Sequence, residues 1–251
     1  MGPGSWTAAR LAAGAGLAAI EGLRNGDAEM AFCAVRPPGH HATPTRTMGF
    51  CLLNNVAVAA AALADAGERV AIVDIDAHHG NGTQEAFFTD GRVLFVSCHQ
   101  WPLYPGTGAA DEVGTGDGAG TTINVPLPAG AAGDTYRYAM DVLVVPAVER
   151  FAPDWILISA GFDAHRADPL TDLGLAAGDY ADLMGRLTGL VPTGRLIAFL
   201  EGGYDLGALA DSAGAFVAAG LGIRYSPEGT TGDGPGRDVV DAQALRHGLV
   251  S

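Results

Sequence analysis

Short apolar runs that end in polar or glycine-rich segments recur along the chain, and each predicts a buried β-strand. The runs cover residues 31–35, 70–75, 93–97, 155–159 and 196–200. Between them lie alanine- and leucine-rich stretches of helical length, at residues 7–23, 55–66, 135–150, 180–190 and 206–221. This alternation is typical of the α/β class, in which a mostly parallel sheet is covered by helices on both faces.

Two stretches depart from the alternation. Residues 106–120 form a glycine-rich loop, but residues 121–125 after it read as a strand, not as the helix that a nucleotide-binding fingerprint requires. Residues 224–251 form a Gly/Pro-rich tail that we expect to be only partly ordered, with a short helix over 239–245. Residues 1–223 are predicted to form a single domain, because no repeat or internal boundary interrupts them.

Composition and charge restrict the function. Of the 251 residues, 48% are hydrophobic and 17% are charged, which is typical of a folded chain with a large core. The formal net charge is −14 and lysine does not occur, so we expect neither nucleic acid nor a membrane surface as a partner, and a lysine nucleophile is excluded. The cysteines Cys33, Cys51 and Cys98 are odd in number and widely spaced, which favours a reducing, cytoplasmic setting.

Acidic and imidazole side chains follow two of the predicted strands. Asp76 and His78 come after the strand at 70–75 and are two residues apart, so in an extended segment they point to one side, as ligands of one metal must. The strand at 155–159 delivers Asp163, and ligands of open α/β sheets bind at such carboxyl ends. One imidazole and two carboxylates leave coordination positions open, which favours a catalytic metal. The alternative is a loop of solvated, helix-capping acids.

Two further strand ends carry polar side chains. The strand at 31–35 leads through a Pro-Pro-Gly turn to His40 and His41, so paired imidazoles are presented at a fixed place. The strand at 196–200 leads through two glycines to Tyr204, whose hydroxyl can donate to a developing oxyanion. Taken singly, each of these side chains is also compatible with a structural role.

Five motifs taken together resemble the histone deacetylase family. In chain order they are RPPGHH at 36–41, GFCLLNN at 49–55, DIDAHHGNG at 74–82, SAGFD at 159–163 and EGGY at 201–204. The resemblance covers residues 7–222 and is strongest to class II-like bacterial members, which include acetylpolyamine amidohydrolases and acetoin-utilisation proteins. It implies an arginase/deacetylase α/β fold and a zinc-dependent deacetylase that removes acetyl groups from an amine.

The resemblance also implies the roles of the metal ligands and of the general base. Asp76, His78 and Asp163 would hold one zinc ion, which polarises the amide carbonyl and activates water. His41, with Asn81 as its partner, would act as general base and then as acid to the leaving amine.

Further roles follow from the same resemblance. His40, oriented by Asp74, would give electrostatic support or share the proton transfer, and Tyr204 would stabilise the oxyanion. The residues that would line a substrate channel are Gly49, Phe50, Tyr104 and Leu170. The residues that would bind a structural potassium ion are Asp74, Asp76, His78, Ser97 and, through its backbone, Cys98.

The resemblance also indicates the substrate and leaves two other functions open. Leu170 stands where a polyamine-selective relative carries an acid, which favours acetyl-lysine over acetylpolyamines. A small acetylated amine as substrate stays open, and so does assembly into a homo-oligomer. The chain is expected to lack the N-terminal segment of the family, so a non-catalytic binding protein is one alternative. An arginase-type ureohydrolase with two manganese ions is another, but it would need aspartates where Gly80 and His165 stand.

Overall fold

Every predicted strand belongs to one parallel sheet. The computed structural model describes residues 2–250, and within them the sheet has six strands in the order β1-β6-β5-β2-β3-β4. The strands are β1 (Ala31–Cys33), β2 (Val70–Asp74), β3 (Val93–Gln100), β4 (Thr122–Leu127), β5 (Trp155–Ala160) and β6 (Leu196–Leu200). The strands β2 and β5, which precede the predicted metal ligands, are therefore neighbours at the centre of the sheet.

Helices connect the strands and cover both faces. Between residues 2 and 250 the α-helices are α1 (Ser5–Asn25), α2 (Asn55–Asp65), α3 (Asn81–Phe87), α4 (Gly133–Ala139), α5 (Val145–Phe151), α6 (Ala177–Leu187), α7 (Leu206–Gly220) and α8 (Arg237–Arg246). A π-helical turn at Met140–Val144 joins α4 to α5, so together they form the helix predicted at 135–150. None of the helices in this part of the chain is both long and apolar enough to cross a membrane.

Alternate side chains of each strand enter different cores. Along β2, Val70 and Ile72 pack with α1, α2 and α3 on one face, whereas Ala71 and Val73 pack with the later helices on the other. Because both faces are buried, the strands are continuous apolar runs, which is why the sequence showed them so clearly. The predicted α/β class, with helices on both faces of a parallel sheet, is confirmed.

The residues after 223 return to this scaffold. Val240 and Ala244 of α8 are buried in the core beside β4, and α8 confirms the short helix expected at 239–245. Ahead of it, Glu228 accepts hydrogen bonds from His165 Nε2 at 2.7 Å and from Arg166 Nη2 at 2.8 Å. This segment is therefore bonded to the loop that follows β5.

Candidate active site

Asp76, His78 and Asp163 meet at the carboxyl ends of β2 and β5. One ligand atom of each lies within 4.8 Å of the others, and all three residues are buried. His78 Nδ1 is 3.1 Å from Asp76 Oδ1 and 2.9 Å from Asp163 Oδ2. The backbone N–H of His78 also donates to Asp76 Oδ1 at 2.8 Å, a local turn that fixes the two side chains relative to each other.

The electrostatics of this group favour a cation. Burial, followed by the charge of Asp76, raises the pKa of Asp163 to about 6. Burial lowers the pKa of His78, but its hydrogen bonds to Asp163 and Asp76 outweigh this and raise the pKa to about 10. Buried carboxylates need a compensating positive charge, which a divalent metal ion supplies. Two oxygens and one nitrogen fit zinc and several other divalent ions.

Glycines let other loops approach the two carboxylates. A Cβ on Gly161 would overlap the Asp76 carboxylate, and a Cβ on Gly202 would overlap that of Asp163. The Gly202 backbone N–H donates to Asp76 Oδ2 at 2.8 Å, and the Ala77 N–H donates to Asp163 Oδ1 at 2.9 Å. With the His78 N–H on Asp76 Oδ1, backbone groups hold both oxygens of Asp76 and one oxygen of Asp163, which fixes the direction of both carboxylates.

His40 and His41 lie side by side next to this group, with ring centroids 4.1 Å apart. His40 Nδ1 lies 3.0 Å from Asp74 Oδ2. His41 Nδ1 lies 2.8 Å from Asn81 Oδ1 and donates to it, because a carbonyl oxygen can only accept. The structure thus brings each histidine together with the partner that the family resemblance implied for it.

The two imidazoles differ in charge. Burial lowers the pKa of His40, but the charges of Asp76, Asp74 and Glu201 outweigh it and raise the pKa well above its ordinary value. Burial, followed by the charge of His40, lowers the pKa of His41 to about 3. His41 is therefore neutral at neutral pH and carries a lone pair on Nε2, as a proton acceptor must.

Glu201 is a site residue that the sequence analysis left without a role. Its buried Oε2 accepts hydrogen bonds from the backbone N–H groups of Gly39 at 2.7 Å and His40 at 3.1 Å. Its Oε1 accepts one from Ser159 Oγ at 3.3 Å. Burial raises the pKa of Glu201 to about 7. An acid at the carboxyl end of a buried apolar strand was the available signal, the same one that marked Asp163.

A cavity of about 460 Å³ adjoins the metal-binding group. Its lining residues are His41, Gly49, Phe50, His78, Leu103, Tyr104, Leu170 and Tyr204. The four predicted channel residues are all among them, whereas Leu103 was not predicted. The Tyr104 ring meets that of His41 edge to face at 5.2 Å, and the Phe50 and Tyr204 rings are 6.2 Å apart. None of the eight lining residues is acidic, so the cavity suits an uncharged, largely apolar side chain.

Backbone strain places Phe50 at the mouth of the cavity. Phe50 has a φ of 63°, in the left-handed region that aromatic residues rarely adopt, and its side chain is 73% exposed. It follows Gly49, whose φ is 55° and where a Cβ would overlap the His41 ring. Such strain persists where the surroundings impose it, commonly at ligand sites.

Asp168 holds two cavity residues at once. Its Oδ2 accepts a hydrogen bond from the backbone N–H of Tyr204 at 2.7 Å, and its Oδ1 accepts one from that of Leu170 at 3.0 Å. Burial, followed by the charges of Asp76 and Asp163, raises the pKa of Tyr204, so its phenol stays protonated and able to donate.

The remaining predicted ligands lie on β3. Ser97 is the register partner of Asp74 on neighbouring strands, and its hydroxyl lies 3.0 Å from His99 Nδ1. The carbonyl of Cys98 accepts a hydrogen bond from the Tyr136 hydroxyl at 3.3 Å. The structure therefore places Ser97 and Cys98 beside the strand that leads to Asp76 and His78.

Several known proteins resemble this chain in sequence and in structure. The family described as histone deacetylase domain matches residues 1–220. A protein named "Probable deacetylase" from Archaeoglobus fulgidus is 48% identical over 228 residues, covering 89% of this chain and 64% of that protein. Histone deacetylase 14, chloroplastic, from Arabidopsis thaliana is 45% identical over 222 residues, covering 84% of this chain and 52% of that protein. The crystal structure of the HDA15 HD domain matches with a TM-score of 0.87 at 41% identity, over 96% of this chain and 68% of that one. The chain thus spans about half to two thirds of the length of these curated relatives.

Proposed function

The chain belongs to the histone deacetylase family, and on that premise we propose that it is a zinc-dependent deacetylase acting on an acylated amine. The observation that carries the proposal is the juxtaposition of a buried group of three metal-ligating side chains with a cavity lined by His41 and Tyr204. A site that only binds its ligand needs neither a proton acceptor nor a phenol beside the metal.

Asp76, His78 and Asp163 would hold the zinc ion. When bound, it polarises the amide carbonyl and lowers the pKa of the attacking water. We also propose that a potassium ion supports this region structurally. The residues that would bind it are Asp74, Asp76, His78, Ser97 and, through its backbone, Cys98.

The chain's own residues would move the protons. His41 Nε2 would accept the proton of the attacking water and then donate it to the leaving amine, while Asn81 holds its Nδ1. His40, paired with Asp74, would contribute positive charge beside the reaction centre. The Tyr204 hydroxyl would donate to the oxyanion that develops on the carbonyl oxygen.

The cavity supports an acetyl-lysine type of substrate. Its exposed wall residues, Phe50, Tyr104 and Leu170, offer apolar surface to an aliphatic stem. Leu170 supplies no carboxylate to a cationic polyamine chain. An acetylated lysine side chain of a peptide or protein therefore fits better than an acetylpolyamine.

A binuclear ureohydrolase fits the structure less well. A side chain at Gly80, where that enzyme would need an aspartate, would overlap the Asp74 carboxylate. His165, at the other required position, is engaged with Glu228. Within residues 2–250 a single group of three metal-ligating side chains is found, and it suits one ion.

The test is hydrolysis of a fluorogenic acetyl-lysine substrate by the purified chain. Turnover is measured with one equivalent of zinc, after chelation, and in the His41→Ala variant. The matched control is His247→Ala, because His247 follows α8 and does not line the cavity.

Zinc-dependent turnover that is lost in His41→Ala and retained in His247→Ala supports the deacetylase. A folded chain that binds one zinc ion and shows no turnover contradicts it and favours the non-catalytic binding protein. Circular dichroism establishes that the variants are folded.

A further inference from the structure

The glycine-rich loop at 106–120 acquires a role in the structure. It continues from Leu103 and Tyr104, which line the cavity, and it returns to β4. Beneath it lies a polar cluster that the proposed chemistry does not use. We call this cluster the loop anchor, and its members are His79, Gln84, His99, Glu112 and Asn124. His79, His99 and Asn124 are each at most 1% exposed.

His79 bonds the loop to α3. Its Nδ1 lies 2.8 Å from Thr107 Oγ1, and its Nε2 lies 3.0 Å from Gln84 Oε1. Gln84 Oε1 also accepts from Asn124 Nδ2 at 2.7 Å, so it is an acceptor and His79 Nε2 carries the hydrogen. In a neutral imidazole Nδ1 then accepts, so the Thr107 hydroxyl donates to it. One imidazole thus connects the loop to the helix.

Gly108 lies directly on two imidazole rings. The rings of His79 and His99 have centroids 4.8 Å apart, and the carbonyl of Gly108 lies 3.1 Å from His99 Nε2. A Cβ on Gly108 would lie 2.6 Å from His79 Cγ and 2.6 Å from His99 Nε2, closer than side chains approach. Its φ of 93° is also one that glycine tolerates best. The loop backbone therefore packs directly against the anchor.

Glu112, which belongs to the loop, adds further hydrogen bonds between the loop and the anchor. Its Oε2 accepts hydrogen bonds from the Gly108 backbone N–H at 3.2 Å and from Gln84 Nε2. Asn124 Nδ2 also lies within 3.4 Å of the Ala109 carbonyl oxygen and 3.3 Å of the Glu112 carbonyl oxygen. His79, His99 and Asn124 are buried and Gln84 and Glu112 are partly buried, and polar groups with this many partners favour one conformation, because displacement leaves several of them unpaired.

The anchor lies back to back with the metal-binding group. His78 and His79 are consecutive, yet His78 lines the cavity whereas His79 enters the anchor. Tyr104 is three residues before Thr107, and its ring lies 5.2 Å from that of His41 and 6.4 Å from that of His78. Thr107 is therefore placed to hold Tyr104, the part of the cavity wall that faces His41 and His78.

We propose that the loop anchor determines the affinity of the cavity for the acylated side chain, by setting Tyr104 against His41 and His78. The proposal rests on the proposed function and adds to it the residues that shape substrate binding. Thr107 and His79 are positioning residues, since neither touches the cavity. Loss of the anchor should raise KM and leave kcat nearly unchanged, because the proton-transfer residues stay in place.

The test replaces Thr107 by valine, which has the same shape but no hydroxyl hydrogen to donate. Thr107→Ser restores the donor and should restore the wild-type behaviour. The matched control is Thr121→Val, directly after the loop and before β4, where the lost hydrogen bond joins Oγ1 to the Gly118 carbonyl at 2.8 Å, away from Tyr104. None of these changes touches a residue of the proposed chemistry.

Two readouts are measured in each variant. Amide hydrogen exchange over residues 101–112 reports whether the loop is held, whatever the activity. KM and kcat are measured on the fluorogenic acetyl-lysine substrate, and the affinity of a labelled acetyl-lysine peptide is measured by fluorescence anisotropy. Loss of one hydrogen bond should raise KM and the peptide Kd about two- to tenfold.

Faster exchange together with weaker binding in Thr107→Val, and in neither Thr107→Ser nor Thr121→Val, supports the proposal. Unchanged exchange, or faster exchange with unchanged KM and peptide affinity, overturns it. A wild-type chain that binds the peptide without turnover contradicts the proposed deacetylase activity but not the role of the anchor. Hydrogen exchange and peptide affinity in the variants still test that role.

Discussion

Glu201 accepts a hydrogen bond from the backbone N–H of His40 at 3.1 Å, although 161 positions separate them along the chain. The same carboxylate oxygen accepts a second bond from Gly39 at 2.7 Å. A side chain at the end of β6 thereby holds the loop that presents the histidine pair. The placement of His41 depends on this carboxylate, which does not itself line the cavity.

Replacing Glu201 by alanine is expected to lower kcat about a hundredfold, because small displacements of a proton-transfer group have effects of that order. KM should change little. Glu201→Gln keeps an acceptor oxygen of the same shape and should lose far less activity. Steady-state kinetics with the fluorogenic substrate measure both constants, and a kcat in Glu201→Ala equal to that of the wild type would refute this role.

Gly49→Ala is expected to remove most of the activity. A methyl group there would overlap the His41 ring, and the φ of 55° is unfavourable for alanine. The matched control is Gly67→Ala, because Gly67 also has a positive φ, 89°, but no atom lies within 4 Å of its added Cβ. Activity and thermal unfolding are measured for both. Equal activity losses in the two variants would show that backbone strain, not contact with His41, is responsible.

Zinc is expected to bind at one ion per chain, and its removal by a chelator should abolish turnover until zinc is restored. Asp163→Asn should weaken binding strongly, because it removes one of two buried carboxylates. Asp65→Asn is the control, since the Asp65 side chain is 74% exposed on the surface. Isothermal titration calorimetry gives the stoichiometry. A value of two ions per chain would contradict the mononuclear site and favour the ureohydrolase.

Glu228 is expected to make stability depend on acid pH. Burial raises its pKa, but hydrogen bonds from His165, Ala177 and Arg166 outweigh this and lower the pKa to about 2. A carboxyl with a depressed pKa stabilises the folded chain above its ordinary pKa of 4.5, and that contribution is lost as the pH falls towards 2.

Glu228→Gln should therefore lower the unfolding midpoint clearly at about pH 7 and less at about pH 3. Thermal unfolding followed by circular dichroism measures the difference from the wild type at each pH. The exposed Glu85, changed to glutamine, serves as the control and should shift the midpoint at neither pH. A difference that is the same at both pH values would rule out ionisation of Glu228 as its source.

Most of the fold could be predicted because both faces of the sheet are buried. The strand expected at 70–75 corresponds to β2, Val70–Asp74, since an unbroken apolar run is what two covering layers require. The helix α3 was missed, because its seven residues, Asn81–Phe87, are too few to show a helical period. The π-helical turn at Met140–Val144 was also missed, since helical propensity does not distinguish it from an α-helix.

The sequence predicted only that part of the candidate site in which residues at the ends of neighbouring strands come together. Asp76 and Asp163 were expected to meet because parallel strands end at one edge. Contacts between loops beyond that edge depend on tertiary packing. The spacing of residues along the sequence therefore did not indicate the partners of Glu201. Thr107 is a further example, since its partner His79 lies 28 positions earlier in a different loop.

The hydrogen bonds between the strand ends have a consequence for folding. Asp76 accepts from Gly202, Asp163 accepts from Ala77, and Glu201 accepts from the loop after β1. Each carboxylate accepts a hydrogen bond that forms only when a different strand has docked, so the complete site cannot form in one segment ahead of the others. A partly folded chain without β6 would lose both Tyr204 and the bond from Gly202 to Asp76. Competence to bind the metal therefore arises in the same cooperative step that completes the sheet.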